Sequence, residues 1–311
     1  MYPRVSVIVP VYNGESDLPD LLDCLRSQTY PKECVEYLIA DNNSRDRTLE
    51  ILQATARENS IALHPIREVN IQSSYAARNA GIRAAKGEVL AFTDADCRPQ
   101  PHWLEALIAP FSNPLVGLVA GEIQALPART LLERHAERQE TLSQKHTLNH
   151  PFCAYGQTAN LAVRRQSLLE VGLFRPYLTT GGDADLCWRI LKQTNWQLKF
   201  AKDAVVQHRH RATLKELQSQ WRRYGESNRY LHQLHGVDLM PEKTSKEYGF
   251  RLAGWFVKEL PKQTLKAIAG RGSGAQLLAG PLGLFTARAR EKGQREAHLP
   301  ENARTIEWLA Q

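Results

Sequence analysis

The amino-acid sequence predicts an α/β fold built on a doubly wound, mostly parallel sheet with helices on both faces. Short apolar segments alternate with segments whose leucines and alanines recur every three or four residues. The first pattern is typical of buried parallel strands, and the second is typical of amphipathic helices. Because the links between them are short, the strands must be joined by right-handed helical crossovers.

The predicted elements follow this alternation along the chain. Strands are expected at residues 5–9, 35–40, 61–64, 88–96, 116–123, 159–164, 196–200 and 204–207. Helices are expected from Leu18 to about Tyr30, at residues 48–58, 73–86, 101–111 and 131–148, and after Asp185. Basic helical segments around residues 214–229, 251–262 and 277–292 follow, and the last two form a C-terminal helical extension.

The fourth apolar run ends in two carboxylates, Asp94 and Asp96. Gly87 is placed to end the preceding helix as its C′ residue, and Pro99 and Pro101 are expected to stop the strand. Residues two apart in a strand point to the same side, so both carboxylates are expected side by side. Mg²⁺ or Mn²⁺ carrying a diphosphate would relieve their repulsion. The alternative is a turn cap at Asp94 and a solvated loop carboxylate at Asp96.

Polar side chains also follow the first two predicted strands. Asn13 lies after the first strand and Asp41 after the second. The carboxyl ends of parallel strands lie along one edge of a sheet, where open α/β sheets bind their ligands. The sequence therefore predicts a nucleotide-sized cleft lined by Asn13, Asp41, Asp94 and Asp96.

Composition narrows the class of protein. The 311 residues suffice for one large α/β core with about a hundred residues over. No signal peptide is expected, and no apolar run approaches the roughly 18–20 residues of a membrane span. Five cysteines at scattered spacing favour reduced thiols in a cytosolic protein. The chain lacks GxxxxGK[ST] and GxGxxG, which argues against a P-loop NTPase or a dinucleotide enzyme.

Positive charge is concentrated in the last third of the chain. Residues 1–200 carry 21 Lys/Arg and 22 Asp/Glu, whereas residues 201–311 carry 19 and 11, a net charge of +8. The basic helices there carry Trp, Phe and Leu on one side, as interfacial membrane anchors do. An anionic membrane surface is thus one expected partner, and packing of these stripes on the α/β body is the alternative. Nucleic acid is the least expected partner, because no recognition motif accompanies the basic helices.

Five motifs together resemble family-2 glycosyltransferases in order and spacing, over roughly residues 4–230. They are Pro10-Val11-Tyr12-Asn13, Asp41-Asn42-Asn43-Ser44, Ala77-Arg78-Asn79-Ala80-Gly81, Asp94-Ala95-Asp96 and Gly181-Gly182-Asp183-Ala184-Asp185-Leu186. The resemblance implies a GT-A fold that binds a nucleotide sugar and a divalent metal, Mn²⁺ or Mg²⁺, and inverts the anomeric centre. It places a transferase domain at residues 1–235, followed by the basic extension at 236–311.

The same resemblance assigns roles to individual residues. Val11, Asn13 and Asp41 would contact the base, with Asp41 accepting from a uracil-like N–H, which favours a UDP-sugar. An Asx turn is the alternative for Asp41. Arg78 would lie near the base or phosphate, or else be a solvated helical arginine.

Further roles concern the sugar and the metal. Asp94 would hold the ribose or sugar, and Asp96 the metal. His208, ahead of His210, would complete the metal site, because a carboxylate with a neutral imidazole suits Mn²⁺. A surface His-x-His in a basic loop is the alternative.

Asp183 matches the family's catalytic base, which takes the proton of the acceptor hydroxyl. The family usually has Glu-Asp here, and Gly182 stands where the glutamate would be. Asp185 is expected to be structural. The alternative is that Asp183 and Asp185 both serve only as favourable charges at a helix N-terminus.

The predicted function is inverting transfer of a sugar, with a UDP-sugar favoured, to a carbohydrate or lipid-linked acceptor hydroxyl in polysaccharide, glycolipid or cell-envelope glycan synthesis. The expected location is the cytoplasm, with a peripheral association at the inner face of the cell membrane left open. A non-catalytic nucleotide-sugar-binding or membrane scaffold is the alternative, since the glutamate is missing. Nucleotidyl transfer is disfavoured because the first strand-end loop lacks the Gly-rich, basic sequence it needs.

Overall fold

The computed structural model describes residues 2–268 and 274–309, and within them eight strands form one sheet in the order β3-β2-β1-β4-β7-β6-β8-β5. The strands are β1 Val5–Val11, β2 Val35–Asp41, β3 Leu63–Arg67, β4 Val89–Phe92, β5 Cys97–Pro99, β6 Val116–Ala125, β7 Leu161–Arg164 and β8 Gln197–His208. The α/β class is confirmed.

The helices up to residue 193 are α1 Leu18–Arg26, α2 Thr48–Glu58, α3 Ser74–Ala84, α4 Trp103–Ile108, α5 Leu131–Arg138, α6 Gln144–Leu148, α7 Arg165–Val171 and α8 Gly182–Gln193. Those that follow are α9 Leu214–His235, α10 Ser245–Gly254, α11 Leu260–Ile268, α12 Gly274–Leu277 and α13 Ala279–Glu296, with a π-helical turn at Trp255–Glu259. In the part of the chain that the structure describes, no helix has both the length and the hydropathy needed to cross a bilayer.

The parallel part of the sheet comprises β3, β2, β1 and β4. Val11 pairs with Asp41, and Ile8 pairs with Phe92, so these strands end at one edge. Every residue of β1 is buried, as expected for a central strand covered on both faces. Beyond β4 the direction changes, because β7 pairs antiparallel with both β4 and β6.

Two compact units can be distinguished. The first comprises the chain up to Gln124, Leu142–His208 and the segment from Pro300 onward, and the second comprises Ala125–Thr141 and Arg209–Leu299. The predicted boundary between residues 235 and 236 falls inside the second unit.

The last described segment packs within the first unit. Leu173 N donates to the Glu307 carbonyl at 2.8 Å. The Glu307 carboxylate accepts from Asn79 Nδ2 and Arg83 Nη1, both at 2.8 Å. This segment therefore fastens onto α3 and the chain that follows α7.

In the second unit, α9 and α13 pack with their backbones close together. A Cβ on Gly225 would overlap the backbone of Arg290, and a Cβ on Gly293 would overlap that of Arg222. Only glycine allows this separation. The apolar stripes predicted in these two helices are thus partly used for packing inside the second unit, where Leu217 and Leu282 are buried.

The structure corrects two predictions around the fourth strand. It ends at Phe92, so Asp94 and Asp96 lie in a turn rather than in extended chain, and Cys97 N donates to the Asp94 carbonyl at 3.0 Å. The chain then forms β5, which includes Pro99; proline is tolerated there because β5 is an edge strand. Gly87 is not a left-handed C′ residue: α3 ends at Ala84, and a Cβ on Gly87 would lie 2.5 Å from Ser6 N.

Two other segments differ from prediction. The helix predicted at residues 131–148 is two helices, α5 and α6, because Glu140 between them adopts a left-handed conformation with φ of 48°. The two strands predicted between residues 196 and 207 are the single strand β8, which extends to His208.

Candidate active site

The loops after β1 and β2 are tied to each other at the sheet edge. Asn13 takes a left-handed conformation with φ of 50°; its N donates to Ser44 Oγ and its Oδ1 accepts from Arg45 N, both at 2.9 Å. Gly14 N donates to Thr48 Oγ1 at 2.8 Å. The side-chain oxygen of the exposed Asn13 therefore links the two loops.

Asp41 is the last residue of β2 and is buried. Its Oδ1 accepts from Ser44 N at 3.2 Å, which is the local turn that the sequence allows for an Asx residue. Val11, its partner in the sheet, is also buried, and its carbonyl accepts from Asn42 N at 2.8 Å. Both residues are therefore part of a well-defined rim, and contact with a base remains a prediction.

Arg78 and Asp94 form a buried ion pair at this edge. Arg78 is 4% exposed, and its Nη2 lies 2.6 Å from Asp94 Oδ1. Among the described residues, the buried Nε of Arg78 has no hydrogen-bond partner, so the guanidinium retains a donor for a ligand. Burial raises the pKa of Asp94, Arg78 opposes this, and Asp96 and Asp183 add to it. Asp96 and Asp183 thus lie near Asp94.

Asp96 lies against the end of β8. Its Oδ2 is 3.1 Å from His208 Nε2, and its side chain is 37% exposed while that of His208 is 10% exposed. Ligand atoms of Asp96, Cys97 and His208 lie within 4.8 Å of one another. Cys97 is there because it pairs with His208 in the β5–β8 ladder, and burial raises the pKa of its thiol well above the usual range.

The donor set fits a divalent cation. Asp96 offers a hard oxygen and His208 an imidazole nitrogen, a combination that suits Mn²⁺, whereas a thiol such as Cys97 suits softer metals. His208 is the histidine of this group, and His210 belongs to the second unit.

Asp183 lies in the first turn of α8, and Thr158 orients its carboxylate. Asp183 Oδ1 accepts from Thr158 Oγ1 at 3.1 Å, and Oδ2 accepts from Thr158 N at 3.2 Å. The next residue, Ala159, is bound in turn to the end of β4, because Thr93 Oγ1 donates to its carbonyl at 3.0 Å. Sequence reasoning missed Thr158, since no motif links it to Asp183.

Tyr75 explains the glycine at position 182. A Cβ on Gly182 would lie 2.7 Å from ring atoms of Tyr75, and Gly182 N donates to the Tyr75 hydroxyl at 3.0 Å. The ring also stacks on Phe174 and lies beneath the Arg78 guanidinium, 5.4 Å from its carbon. The buried Tyr75 therefore occupies the space that the first atoms of a glutamate side chain would need. No motif in the sequence links Tyr75 to Gly182.

The structural role predicted for Asp185 is confirmed. Its carboxylate is fully buried and accepts from Arg175 Nε at 2.9 Å and from Arg189 Nε at 3.0 Å. Arg189 also donates to the carbonyls of Val171 and Leu173. Asp185 thus holds α8 against the chain that follows α7. Of the two carboxylates in the first turn of α8, Asp183 is therefore the one at the rim.

The sheet has the GT-A fold, which it shares with glycosyltransferases of known structure. Among solved structures, the mannosyltransferase PcManGT from Pyrobaculum calidifontis, in complex with GDP-Man and Mn²⁺, superposes with a TM-score of 0.61 at 18% identity, covering 95% of this chain and 88% of that one. TarS of Staphylococcus aureus, in complex with UDP-GlcNAc, has a TM-score of 0.54 at 17% identity, covering 94% and 90%.

The sequence comparisons are more specific. The profile of glycosyl transferase family 2 matches residues 6–172. Glycosyltransferase AglE of Haloferax volcanii is 36% identical over 229 residues, 71% of each chain. Pre-mycofactocin glycosyltransferase of Mycobacterium tuberculosis is 28% identical over 246 residues, 78% of this chain but 49% of the relative, so the chain spans about half of that protein. The chain belongs to glycosyl transferase family 2 and is a glycosyltransferase.

Proposed function

We propose that this protein is an inverting, metal-dependent transferase that moves a sugar from a nucleoside diphosphate to an acceptor hydroxyl. The observation that carries the proposal is the meeting of three carboxylates in the first unit, each with its own partner: Asp94 with Arg78, Asp96 with His208, and Asp183 with Thr158. A non-catalytic scaffold would need Asp183 only for its contacts with Thr158 at the start of α8.

The donor subsite is proposed to comprise Val11, Asn13, Asp41, Arg78 and Asp94. Asp41 would accept from the N–H of a uracil ring through the carboxylate oxygen that does not bind Ser44, which favours a UDP-sugar. Arg78 would direct its remaining donor at the ligand, and Asp94 would hold the ribose or sugar. Of the two solved neighbours described above, TarS contains UDP-GlcNAc and PcManGT contains GDP-Man, so a nucleoside diphosphate sugar is the chemistry they share.

Asp96 and His208 are proposed to hold Mn²⁺, with Mg²⁺ as the second candidate. When bound, the metal would neutralise the charge that the diphosphate gains as the glycosidic bond breaks, a contribution of several kcal/mol. The solved mannosyltransferase contains Mn²⁺, which agrees with the imidazole in the ligand set.

Asp183 is proposed as the base. As the acceptor oxygen forms its bond to the anomeric carbon, its proton passes to the Asp183 carboxylate, and the electrons of the breaking bond leave with the diphosphate. Thr158 holds both oxygens of Asp183 and so fixes the direction of approach. One displacement with the base opposite the leaving group inverts the anomeric centre without a covalent intermediate.

The proposed acceptor is a carbohydrate or a lipid-linked glycan, in polysaccharide, glycolipid or cell-envelope glycan synthesis. With a lipid-linked acceptor, the enzyme would act from the cytoplasm as a peripheral protein on the inner face of the cell membrane.

Calorimetric titration with UDP-, GDP- and dTDP-sugars tests the donor and metal assignments together. We expect the UDP-sugar to bind best and only with Mn²⁺, and Asp96→Ala to weaken binding by about tenfold or more and to abolish slow donor hydrolysis. Asp203→Ala removes an exposed carboxylate from the same strand as His208 and is the matched control. Donor binding that is equally tight without Mn²⁺ and in the Asp96→Ala variant would contradict the proposal.

A further inference from the structure

An apolar face is exposed along α10, the π-helical turn and α11. Phe250 is 77% exposed, Val257 74% and Leu265 68%. They are seven and eight residues apart, about two helical turns each, so they lie along one side of this helical segment. Phe256, at 55%, adds to the exposed apolar area. Single exposed apolar side chains are ordinary, but a row of this kind indicates an interaction surface.

The same segment is anchored through other residues. The Tyr248 hydroxyl donates to Glu291 Oε2 at 2.9 Å. Trp255 packs so closely on Gly280 that a Cβ on Gly280 would overlap the Trp255 ring. Both contacts join the segment to α13 within the second unit. The segment is therefore held by its inner side, and the exposure of Phe250, Val257 and Leu265 is a property of the folded unit.

The surroundings of this face are strongly basic. The second unit contains 20 Lys/Arg and 11 Asp/Glu, a net charge of +9, whereas the first unit has a net charge of −2. Lys246, Arg251, Lys258 and Lys262 are exposed in the segment itself. Of its two acidic residues, Glu247 caps α10 by accepting from Thr244 N and Oγ1.

We propose that this face, defined by Phe250, Val257 and Leu265 with the basic residues beside it, docks onto an anionic lipid surface. The apolar side chains would enter the boundary between headgroups and acyl chains, and the lysines and arginine would contact lipid phosphates. A second copy of the chain fits less well, because two units of net charge +9 would be brought together. The surface lies outside the candidate active site, so the proposal does not depend on the transfer reaction.

Flotation of the 311-residue chain with lipid vesicles tests the proposal. We expect it to float with vesicles of equal parts phosphatidylglycerol and phosphatidylcholine, and not with phosphatidylcholine alone. Phe250→Ser/Val257→Ser is expected to reduce binding by about tenfold or more. Lys258→Gln/Lys262→Gln is expected to reduce it less and to weaken its dependence on salt.

The matched control is Leu115→Ser, which removes an exposed apolar side chain from the first unit and is expected to change nothing. Equal melting temperatures of the variants would establish that all of them are folded. Failure of the unsubstituted protein to float, or flotation that survives Phe250→Ser/Val257→Ser, would overturn the proposal. So would a dimer by light scattering that the same double substitution dissociates, since the face would then bind a second copy.

Discussion

Asp183→Asn is expected to lower kcat by about 10²–10⁴-fold while the dissociation constant of the donor stays within about twofold. Asparagine keeps the shape of the side chain and can still accept from Thr158, but it cannot take a proton at neutral pH. The carboxylate is needed only when the acceptor hydroxyl attacks, so its loss removes an interaction made in the transition state. Steady-state rates with the best donor, together with calorimetric donor binding, measure the two effects separately.

Two further variants sharpen this prediction. Thr158→Val removes the hydroxyl that orients Asp183 but leaves the base, so a smaller loss of kcat is expected. Asp203→Asn makes the same chemical change at an exposed position and should have no effect. Retention of normal kcat in Asp183→Asn would refute the assignment of the base. A loss of donor binding without a change in kcat would indicate that Asp183 binds the donor and is not the base.

Gly182→Glu restores the residue usual in the family, yet it is expected to damage this protein. A Cβ at position 182 would lie 2.7 Å from the Tyr75 ring, and a glutamate carries four more heavy atoms beyond it. Overpacking of this kind costs about 1–3 kcal/mol of unfolding free energy. Because Asp183 follows directly, the displaced turn should also lower kcat by an order of magnitude or more. Chemical denaturation and steady-state kinetics measure these two changes.

The double variant Tyr75→Ala/Gly182→Glu separates crowding from a chemical effect of the glutamate. If crowding is the cause, adding Gly182→Glu to Tyr75→Ala should cost much less than adding it to the unsubstituted protein. Tyr75→Phe keeps the ring but removes the hydroxyl that accepts from Gly182 N, and so measures that hydrogen bond alone. A stable and fully active Gly182→Glu single variant would show that Tyr75 does not determine the residue at position 182.

The sequence predicted correctly the features that depend only on residues close together in the chain. Apolar runs ended by Asn13, Asp41 and Asp94 predicted three parallel strands ending at one edge, and the pairings of Val11 with Asp41 and of Ile8 with Phe92 bear this out. The structural role of Asp185 was expected from the family motif at residues 181–186, and its contacts with Arg175 and Arg189 agree with it. Such features depend on periodicity and on residues close together in the chain.

Features that depend on contacts between distant residues could not be predicted in this way. Tyr75 and Gly182 are 107 residues apart in the chain, and nothing near either one predicts the other. Thr158 is 25 residues from Asp183 and belongs to no motif. The turn at Asp94 and Asp96 was missed because an apolar run followed by two carboxylates favours continued strand, whereas pairing of the next residues with β8 redirects the chain.

The segment from Pro300 onward packs in the first unit, and this affects how the protein folds during synthesis. Glu307 binds Asn79, the neighbour of Arg78 in α3, and its backbone binds Leu173. During synthesis, the α/β unit therefore lacks these contacts until the whole basic unit between residues 209 and 299 has left the ribosome. A shortened chain that stops near residue 235 would keep every motif of the family and still lack the carboxylate that braces the helix carrying Arg78.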